Sequence, residues 1–438
     1  MLKAEIILAS LVLLCGQAVL WRRRDNIPAY LQAGLFFASI LVPVLGTTII
    51  DASDPEVVAL YARILMVGAV AYMGGLLYGG LIGDRQRLPQ VTFSRPFDAT
   101  VPYLLARRTR LIAVAAVGLL GLSFLLLGYV PYFAADRVGA KYGTGVYREG
   151  LARGALVFHL ALRLGSIIFP VVLVLLMRRR RLADMVLSGA LGIGLILTLS
   201  RGSALLGPLV FLIAMLVGRR WKAWQILALV CTFYASATLV NELVRVSSPV
   251  ASASFSTRVA ASAPDLSDHL GFLNGFQVTG SQQVGLRTIL AGLSLNKGEY
   301  NPSSYALRIR TGLVDTGEFA SGGLRLPAPV WGYASLGYLG VVLWSFTTGV
   351  FIGWGTVLVR RLVTPIQGRS GQALNLILAW LFFSGTFAVL SEFYFPERVE
   401  IVSVGLVLAL CWSRTARFRS DPAAEPEAGV QAPGGVLA

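Results

Sequence analysis

The stretch Ser200-Arg201-Gly202 places a permanent positive charge between two apolar segments, residues 183–199 and 204–218. Arginine stays ionised at any accessible pH and is costly within a bilayer, so a chain that keeps one at such a turn needs an anion to meet it. A guanidinium group binds phosphate through two parallel hydrogen bonds. Arg201 is therefore the first candidate for binding an anionic group at the end of a membrane helix.

A second set of cations lies in the long polar segment between residues 242 and 329. It consists of Arg245, Arg258, Arg287, Lys297, Arg308, Arg310 and Arg325. A diphosphate carried at a membrane surface would engage several guanidinium groups together. We predict that four of the set join Arg201 in binding it: Arg287, Arg308, Arg310 and Arg325. The alternative for each is contact with lipid headgroups or a weak ion pair with a carboxylate such as Asp268.

Two ionisable residues lie inside the fifth apolar run of the chain. Arg163 follows His159 by four residues, which places the pair on one face of a helix. Ionisable residues inside a membrane are functional-site candidates by default. Arg163 is therefore a further candidate for binding the diphosphate, with a structural pair as the alternative, and His159 alone is interpreted as structural.

Four further residues have side chains that can act as a general base: His269, Asp315, Glu318 and Glu392. His269 is the only histidine of the 242–329 segment, and we expect it to be solvated unless it is catalytic. Glu392 precedes the aromatic turn Phe393-Tyr394-Phe395, whose rings would suit the C–H face of a sugar. The spacing leaves the choice among the four open.

The elements that must position these residues are predicted to be membrane helices. The 438-residue chain is 55% hydrophobic and 14% charged, with a mean hydropathy of +0.70. Apolar runs of about 16–25 residues between short charged links predict an all-α polytopic membrane protein. We place about eleven spans, at residues 5–21, 30–50, 57–82, 111–133, 154–177, 183–199, 204–218, 223–243, 333–359, 371–390 and 399–413.

Basic clusters at alternate links predict the orientation, because Lys and Arg accumulate on cytoplasmic loops. They are Arg22–Arg24, the Asp84–Arg110 loop, Arg178–Arg181, Arg219/Arg220/Lys222, Arg360/Arg361/Arg369 and Arg414/Arg417/Arg419. The N-terminus is then outside, and a disordered tail, residues 414–438, is cytoplasmic. The membrane domain is residues 1–413, and residues 242–329 form one large outer loop. Amphipathic pieces of that loop, such as Leu270–Phe276 and Val284–Leu293, could lie on the membrane surface.

The same composition argues against other classes of protein. The net charge of +16 has a simpler cause in the cytoplasmic loops than in nucleic-acid binding. The three cysteines all lie in apolar runs and predict neither a disulfide framework nor a metal site. With two histidines in the chain, a metal site built from imidazoles is not expected.

Two motifs carry a family resemblance. The first is Leu199-Ser200-Arg201-Gly202-Ser203-Ala204-Leu205, and the second is the stretch from Gly322 to Val342. In this order, with a long outer loop between them, they resemble the Wzy-type oligosaccharide repeat-unit polymerases, which are related to the O-antigen ligases. In that family a Gly- and Pro-containing re-entry leads into a helix that begins Gly-x-x-Gly-Val, here Gly337–Val341.

The resemblance implies a metal-independent glycosyltransferase of GT-C-like architecture in the bacterial inner membrane, working at the periplasmic face without a cofactor. Its substrate would be an oligosaccharide repeat unit on undecaprenyl diphosphate, for O-antigen, capsule or exopolysaccharide assembly. Its partners would be the chain-length regulator and the flippase of the same pathway. Arg201 matches the family arginine by position, and Arg325 lies in the second motif. The ligases have an outer-loop histidine that is usually followed by Asn, whereas His269 is followed by Leu270.

The implied chemistry is attack by a hydroxyl of the incoming unit on the anomeric carbon, with lipid diphosphate leaving. Negative charge grows on the leaving oxygen, so fixed guanidinium groups, above all Arg201, help most in the transition state. Glu392 and His269 are the other predicted catalytic residues. Two alternatives stay open: a ligase that transfers finished glycan to another acceptor, and a non-enzymatic exporter or flippase of lipid-linked oligosaccharide.

Overall fold

The computed structural model describes residues 2–20, 27–46, 49–85, 101–143, 145–219, 221–244, 265–279, 283–285, 302–312, 326–363 and 377. This part of the chain is helical and contains no strand. Its helices are α1 (Leu2–Leu20), α2 (Ile27–Phe36), α3 (Val42–Gly46), α4 (Pro55–Arg85), α5 (Val101–Leu127), α6 (Arg137–Tyr142), α7 (Arg148–Arg179), α8 (Leu182–Leu197), α9 (Arg201–Gly218), α10 (Ala223–Val244), α11 (Asp265–Val278), α12 (Pro302–Thr311) and α13 (Ala328–Val363). A π-helical turn, Phe37–Leu41, joins α2 to α3.

Within the described ranges, four segments are long and apolar enough to cross a membrane. They are Pro55–Gly83, Ala106–Leu127, Gly139–Met177 and Ala328–Trp354. Shorter apolar helices cover Leu182–Leu197, Ala204–Val217 and Ala223–Phe233. The prediction of a helical protein with membrane-length helices is confirmed, and the total of eleven spans stays a prediction.

Several predicted boundaries differ from the helices that form. The fourth span ends at Leu127 rather than at residue 133, because Gly128 turns the chain with φ 76° and a 3₁₀ turn follows at Pro131–Phe133. α5 begins at Val101, inside the predicted Asp84–Arg110 loop. The segment 242–329 holds α11, α12 and the first residues of α13. The last two predicted spans and the tail, residues 414–438, lie outside the described residues, apart from Ile377.

The larger apolar core surrounds α7, which packs against α5, α8 and α9. Glycines allow close approach here: a Cβ on Gly165 would lie 3.2 Å from Leu195 of α8. At the start of α8 the buried Asp184 accepts two hydrogen bonds from Arg110 of α5, 2.6 Å from Nε and 2.8 Å from Nη2. This bidentate pair joins the beginnings of the two helices.

A seam of small residues joins α4 to α13. Gly75 and Gly79 of α4 lie directly against the backbone of Phe346 and Val350, and Gly349 of α13 lies against the backbone of Tyr72. Any side chain at these glycines would meet main-chain atoms that have no room to move. Small residues permit the backbone contact through which membrane helices associate.

α13 is a helical hairpin rather than one rod. Leu336 (φ −141°) and Gly337 (φ 61°) break the helix, so residues 328–335 form a first limb and residues 338–363 a second. The limbs fold against each other, because Gly332 and Gly340 meet through their backbones and Pro329 and Ser345 both approach Gly68 of α4. The predicted span 333–359 is therefore wrong at its start.

A second apolar core joins the first half of α4 to α11, α12 and the first limb of α13. Leu270, Phe272, Leu273 and Phe276 of α11 are buried in it. The expectation that Leu270–Phe276 lies on the membrane surface is therefore wrong, since these side chains pack on α4 and its neighbours. The ion pair Lys3–Asp51 joins the start of α1 to the turn that precedes α4.

Candidate functional site

The Arg201 turn is short and locally strained. Thr198 donates through Oγ1 to the Leu195 carbonyl at 2.6 Å and accepts the Ser200 N–H at 3.2 Å. Leu199 then adopts the left-handed conformation with φ 57°, which is unfavourable for a side chain of this size. α9 starts at once, because Ala204 N–H bonds to the Ser200 carbonyl. Arg201 is thus the first residue of an 18-residue helix, and its side chain lies outside the described part of the structure.

α7 and α9 run parallel, because α8 returns the chain between them. A Cβ on Gly207 of α9 would lie 2.8 Å from the Phe169 ring of α7, which fixes the level of one helix against the other. Arg163 precedes Phe169 by six residues, and Arg201 precedes Gly207 by six. At the rise of an α-helix, the backbone of each arginine therefore lies about 9 Å along its helix axis from the Gly207–Phe169 contact. The two backbones are thus at the same height in the bundle.

Arg163 lies on the exposed stripe of α7, together with Arg153 and Leu156. Around the axis of α7, the side chain of Arg163 points about 120° away from the direction of the Phe169 ring, which faces α9. His159 is half-buried one turn earlier, with its ring 5.7 Å from that of Phe158. Both residues lie in α7, one turn apart as predicted, and Arg163 is exposed at the surface of that helix.

His269 occupies a position that the sequence did not indicate. It is 3% exposed, and its Nδ1 lies 3.1 Å from the hydroxyl of Tyr61, which is wholly buried in α4. The expectation of a solvated histidine is therefore wrong, because the apolar face of α11 docks on α4 and takes the imidazole with it. A catalytic role for His269 stays a prediction, and the geometry gives it a role in docking α11.

α11 and α12 bring one predicted phosphate ligand close to His269. Arg310 of α12 pairs with Asp268 of α11, and its side chain covers Gly271. Arg308 is half-buried on the same helix. The alternative of an ion pair, considered for each outer arginine, therefore holds for Arg310 in this structure.

The tip of the α13 hairpin is covered by residues 283–285. The N–H groups of Val284 and Gly285 donate to the carbonyls of Ala334 and Ser335 at 3.1 and 2.9 Å. These carbonyls need outside donors because the helix stops at Leu336. The outer segment is thereby tied to the turn that opens the Gly337–Val341 motif.

Five of the predicted site and base residues lie outside the described residues: Arg287, Asp315, Glu318, Arg325 and Glu392. Arg63 is a charge that the sequence analysis missed. It is exposed on α4, eight residues from the start of that helix, on the opposite side from Tyr61. Its signal was its place inside a predicted span, 57–82, where any ionisable residue is a candidate.

An apolar groove opens on the side of the bundle. It has a volume of about 610 Å³ and is lined by Leu14 of α1, Phe37 of the π-helical turn, and Trp224, Leu227, Ala228, Cys231, Thr232 and Ser236 of α10. π-helical turns occur frequently at functional sites because they displace the side chains of one helical turn.

Comparison with known proteins identifies no relative. No family model matches the chain, and neither the curated proteins nor the solved structures include a match.

Proposed function

We propose that this protein is a membrane glycosyltransferase that polymerises oligosaccharide repeat units carried on undecaprenyl diphosphate. The observation that carries the proposal is the start of α9 at Arg201, directly after the strained Leu199 turn and between apolar helices. A guanidinium group at such a turn favours an anionic partner, and a lipid-borne diphosphate offers two phosphates in adjacent positions. The start of α9 at Arg201 adds the partial positive charge of a helix N-terminus.

In the proposed reaction, an acceptor hydroxyl oxygen forms a bond to the anomeric carbon while the bond from that carbon to the phosphate oxygen breaks. The diphosphate leaves with the electron pair, and the hydroxyl proton passes to a base. Arg201 stabilises the charge that develops on the leaving oxygen, which lowers the barrier more than it strengthens ground-state binding.

The polyprenyl tail belongs in the apolar groove between α1, the π-helical turn and α10. A tail of this kind reaches the groove sideways from the bilayer, so the diphosphate arrives at the outer end of the bundle without crossing it. The proposed setting is the bacterial inner membrane, with the Arg201 turn and residues 242–329 on the periplasmic side.

The deciding experiment follows extension of lipid-linked repeat units by the purified protein. We expect Arg201→Ala to lower the rate of extension by about 100–1,000-fold, the usual effect of removing one well-placed donor to a transition-state anion. Arg219→Ala is the matched control, because Arg219 is exposed at the opposite end of the same helix. An unchanged ladder of glycans from Arg201→Ala would overturn the assignment.

A second pair of variants separates polymerase from ligase. His269→Ala removes the imidazole, whereas Tyr61→Phe removes only the hydroxyl that lies beside it. If His269→Ala abolishes transfer and Tyr61→Phe does not, the imidazole takes part in the chemistry, as expected of a ligase. Equal, modest losses from both variants indicate that the pair docks α11 and that the polymerase proposal needs no chemical role for His269.

A further inference from the structure

The link between α5 and α7 is a folded cap, defined here as residues 128–153. Tyr129 donates a hydrogen bond to the Ala140 carbonyl at 3.1 Å, and its ring meets that of Tyr147 edge-on at 4.7 Å. Burial, and secondarily the neighbouring Tyr147, raises the pKa of Tyr129. The hydroxyl, which is protonated at neutral pH, donates the bond that joins the start of the cap to α6.

Apolar side chains project outward from this cap. Phe133 is 73% exposed and Val146 is 89% exposed. The helices below show the same character, since Leu125 of α5 and Leu156 of α7 are also largely exposed. Because α5 and α7 include membrane-length apolar segments, we expect their exposed leucines to face lipid. Phe133 follows the end of α5, and Val146 precedes the start of α7.

The same cap carries an excess of cations. The cap contains Arg137, Lys141, Arg148 and Arg153 against Asp136 and Glu149, an excess of two positive charges. Arg137 is exposed, with its guanidinium 5.2 Å above the Tyr132 ring and its Nε bonded to the Tyr132 carbonyl at 3.1 Å. Asp136 is occupied in accepting the Gly139 N–H at 2.9 Å.

We propose that the cap is a membrane-surface anchor that inserts Phe133 and Val146 among lipid headgroups and selects anionic ones through its cations. Aromatic and aliphatic side chains at the end of a span, on a cap that also carries Arg and Lys, suit the interface between acyl chains and anionic headgroups. A sugar polymer would bind less well, since most of the exposed apolar surface is aliphatic, from Val146, Leu125 and Leu156, and offers a sugar neither a hydrogen bond nor an aromatic face. The proposal requires only that α5 and α7 cross a bilayer and is independent of the glycosyltransferase assignment.

The test places a fluorescent label at Val146→Cys in the full chain, with the three native cysteines replaced. The protein is reconstituted into vesicles of phosphatidylcholine with or without phosphatidylglycerol, and each lipid in turn carries a headgroup nitroxide. We expect a blue-shifted label that is quenched more strongly by nitroxide on phosphatidylglycerol than on phosphatidylcholine. Phe133→Cys provides a second label on the other exposed apolar side chain.

The charge requirement is tested with Arg137→Gln/Arg153→Gln in the labelled protein. This change should lower the preference for phosphatidylglycerol by up to about fivefold per cation, whereas the control Arg107→Gln/Arg180→Gln, which removes the same charge elsewhere, should not. Two results would overturn the proposal. In the first, no lipid nitroxide quenches the label at position 133 or at position 146, which indicates that water, protein or glycan surrounds these side chains instead of lipid. In the second, nitroxides on the two lipids quench the label equally, which indicates no preference for anionic headgroups.

Discussion

At the scale of single residues, the sharpest electrostatic feature of the described bundle is the unequal burial of Arg110 and Asp184. The Asp184 side chain is 1% exposed, whereas that of Arg110 is 25% exposed. A guanidinium at this exposure reaches water when its partner is lost, but the carboxylate has no such route. The two halves of the pair should therefore contribute unequally when removed singly.

We expect Arg110→Met to destabilise the protein by about 3–5 kcal/mol, because it leaves a buried carboxylate without its partner. Asp184→Leu should cost less, and the double variant Arg110→Met/Asp184→Leu should recover part of the loss, since an apolar pair needs no solvation. Thermal unfolding in detergent measures all three variants. Strictly additive losses would show that the two residues are not coupled.

Residue types alone revealed some of the candidate site. Two such features are the charge of Arg201 between apolar runs and the four-residue spacing of His159 and Arg163. Both depend only on neighbouring positions in the chain, so they can be predicted without knowing which helices pack together. The burial of His269 and its approach to Tyr61 depend on α11 docking against α4, more than 200 positions away in the chain. No pattern within either segment indicates that contact.

At the scale of elements, α4 supplies its own control for the glycine seam. Gly79→Leu should lower the free energy of unfolding by about 1–3 kcal/mol or more, because the new leucine side chain would overlap the backbone of Val350. Gly80→Leu, one residue further on, meets nothing within 4 Å and should change stability by less than about 0.5 kcal/mol. The unfolding temperature in detergent compares them, and equal effects would contradict a backbone-to-backbone seam.

Apolar run length predicted the existence of the helices better than their breaks. Residues 333–359 read as one continuous span because a membrane helix and a helical hairpin share the same composition. Composition does not show the break at Gly337, which the structure shows in its φ of 61° and in the contact of Gly332 with Gly340. The π-helical turn at Phe37–Leu41 could not be predicted from the sequence either, since a π-helical turn differs from an α-helix in its hydrogen-bond register and not in its residue types.

At the scale of the whole molecule, two contacts at the start of α4 place distant segments on one face. Asp51 pairs with Lys3 of α1, and Tyr61 meets His269 of α11. The turn before α4 and the outer segment should therefore be accessible from the same side of the membrane. The fold requires these two segments to lie on the same side of the membrane, whichever way the protein is inserted. The positions of the basic clusters predict that this side is the periplasmic one.

Single cysteines at Ser53, Asn274 and Lys222, introduced into a chain without its native cysteines, separate these two statements. An impermeant maleimide applied to spheroplasts should label Ser53→Cys and Asn274→Cys directly and should label Lys222→Cys only after the membrane is opened. Labelling of Lys222→Cys alone would preserve the fold but invert the orientation, which removes the periplasmic reaction and leaves the membrane anchor intact. Labelling of Ser53→Cys and Asn274→Cys from opposite sides would contradict the docking of α11 on α4, because the Tyr61–His269 contact could not then form.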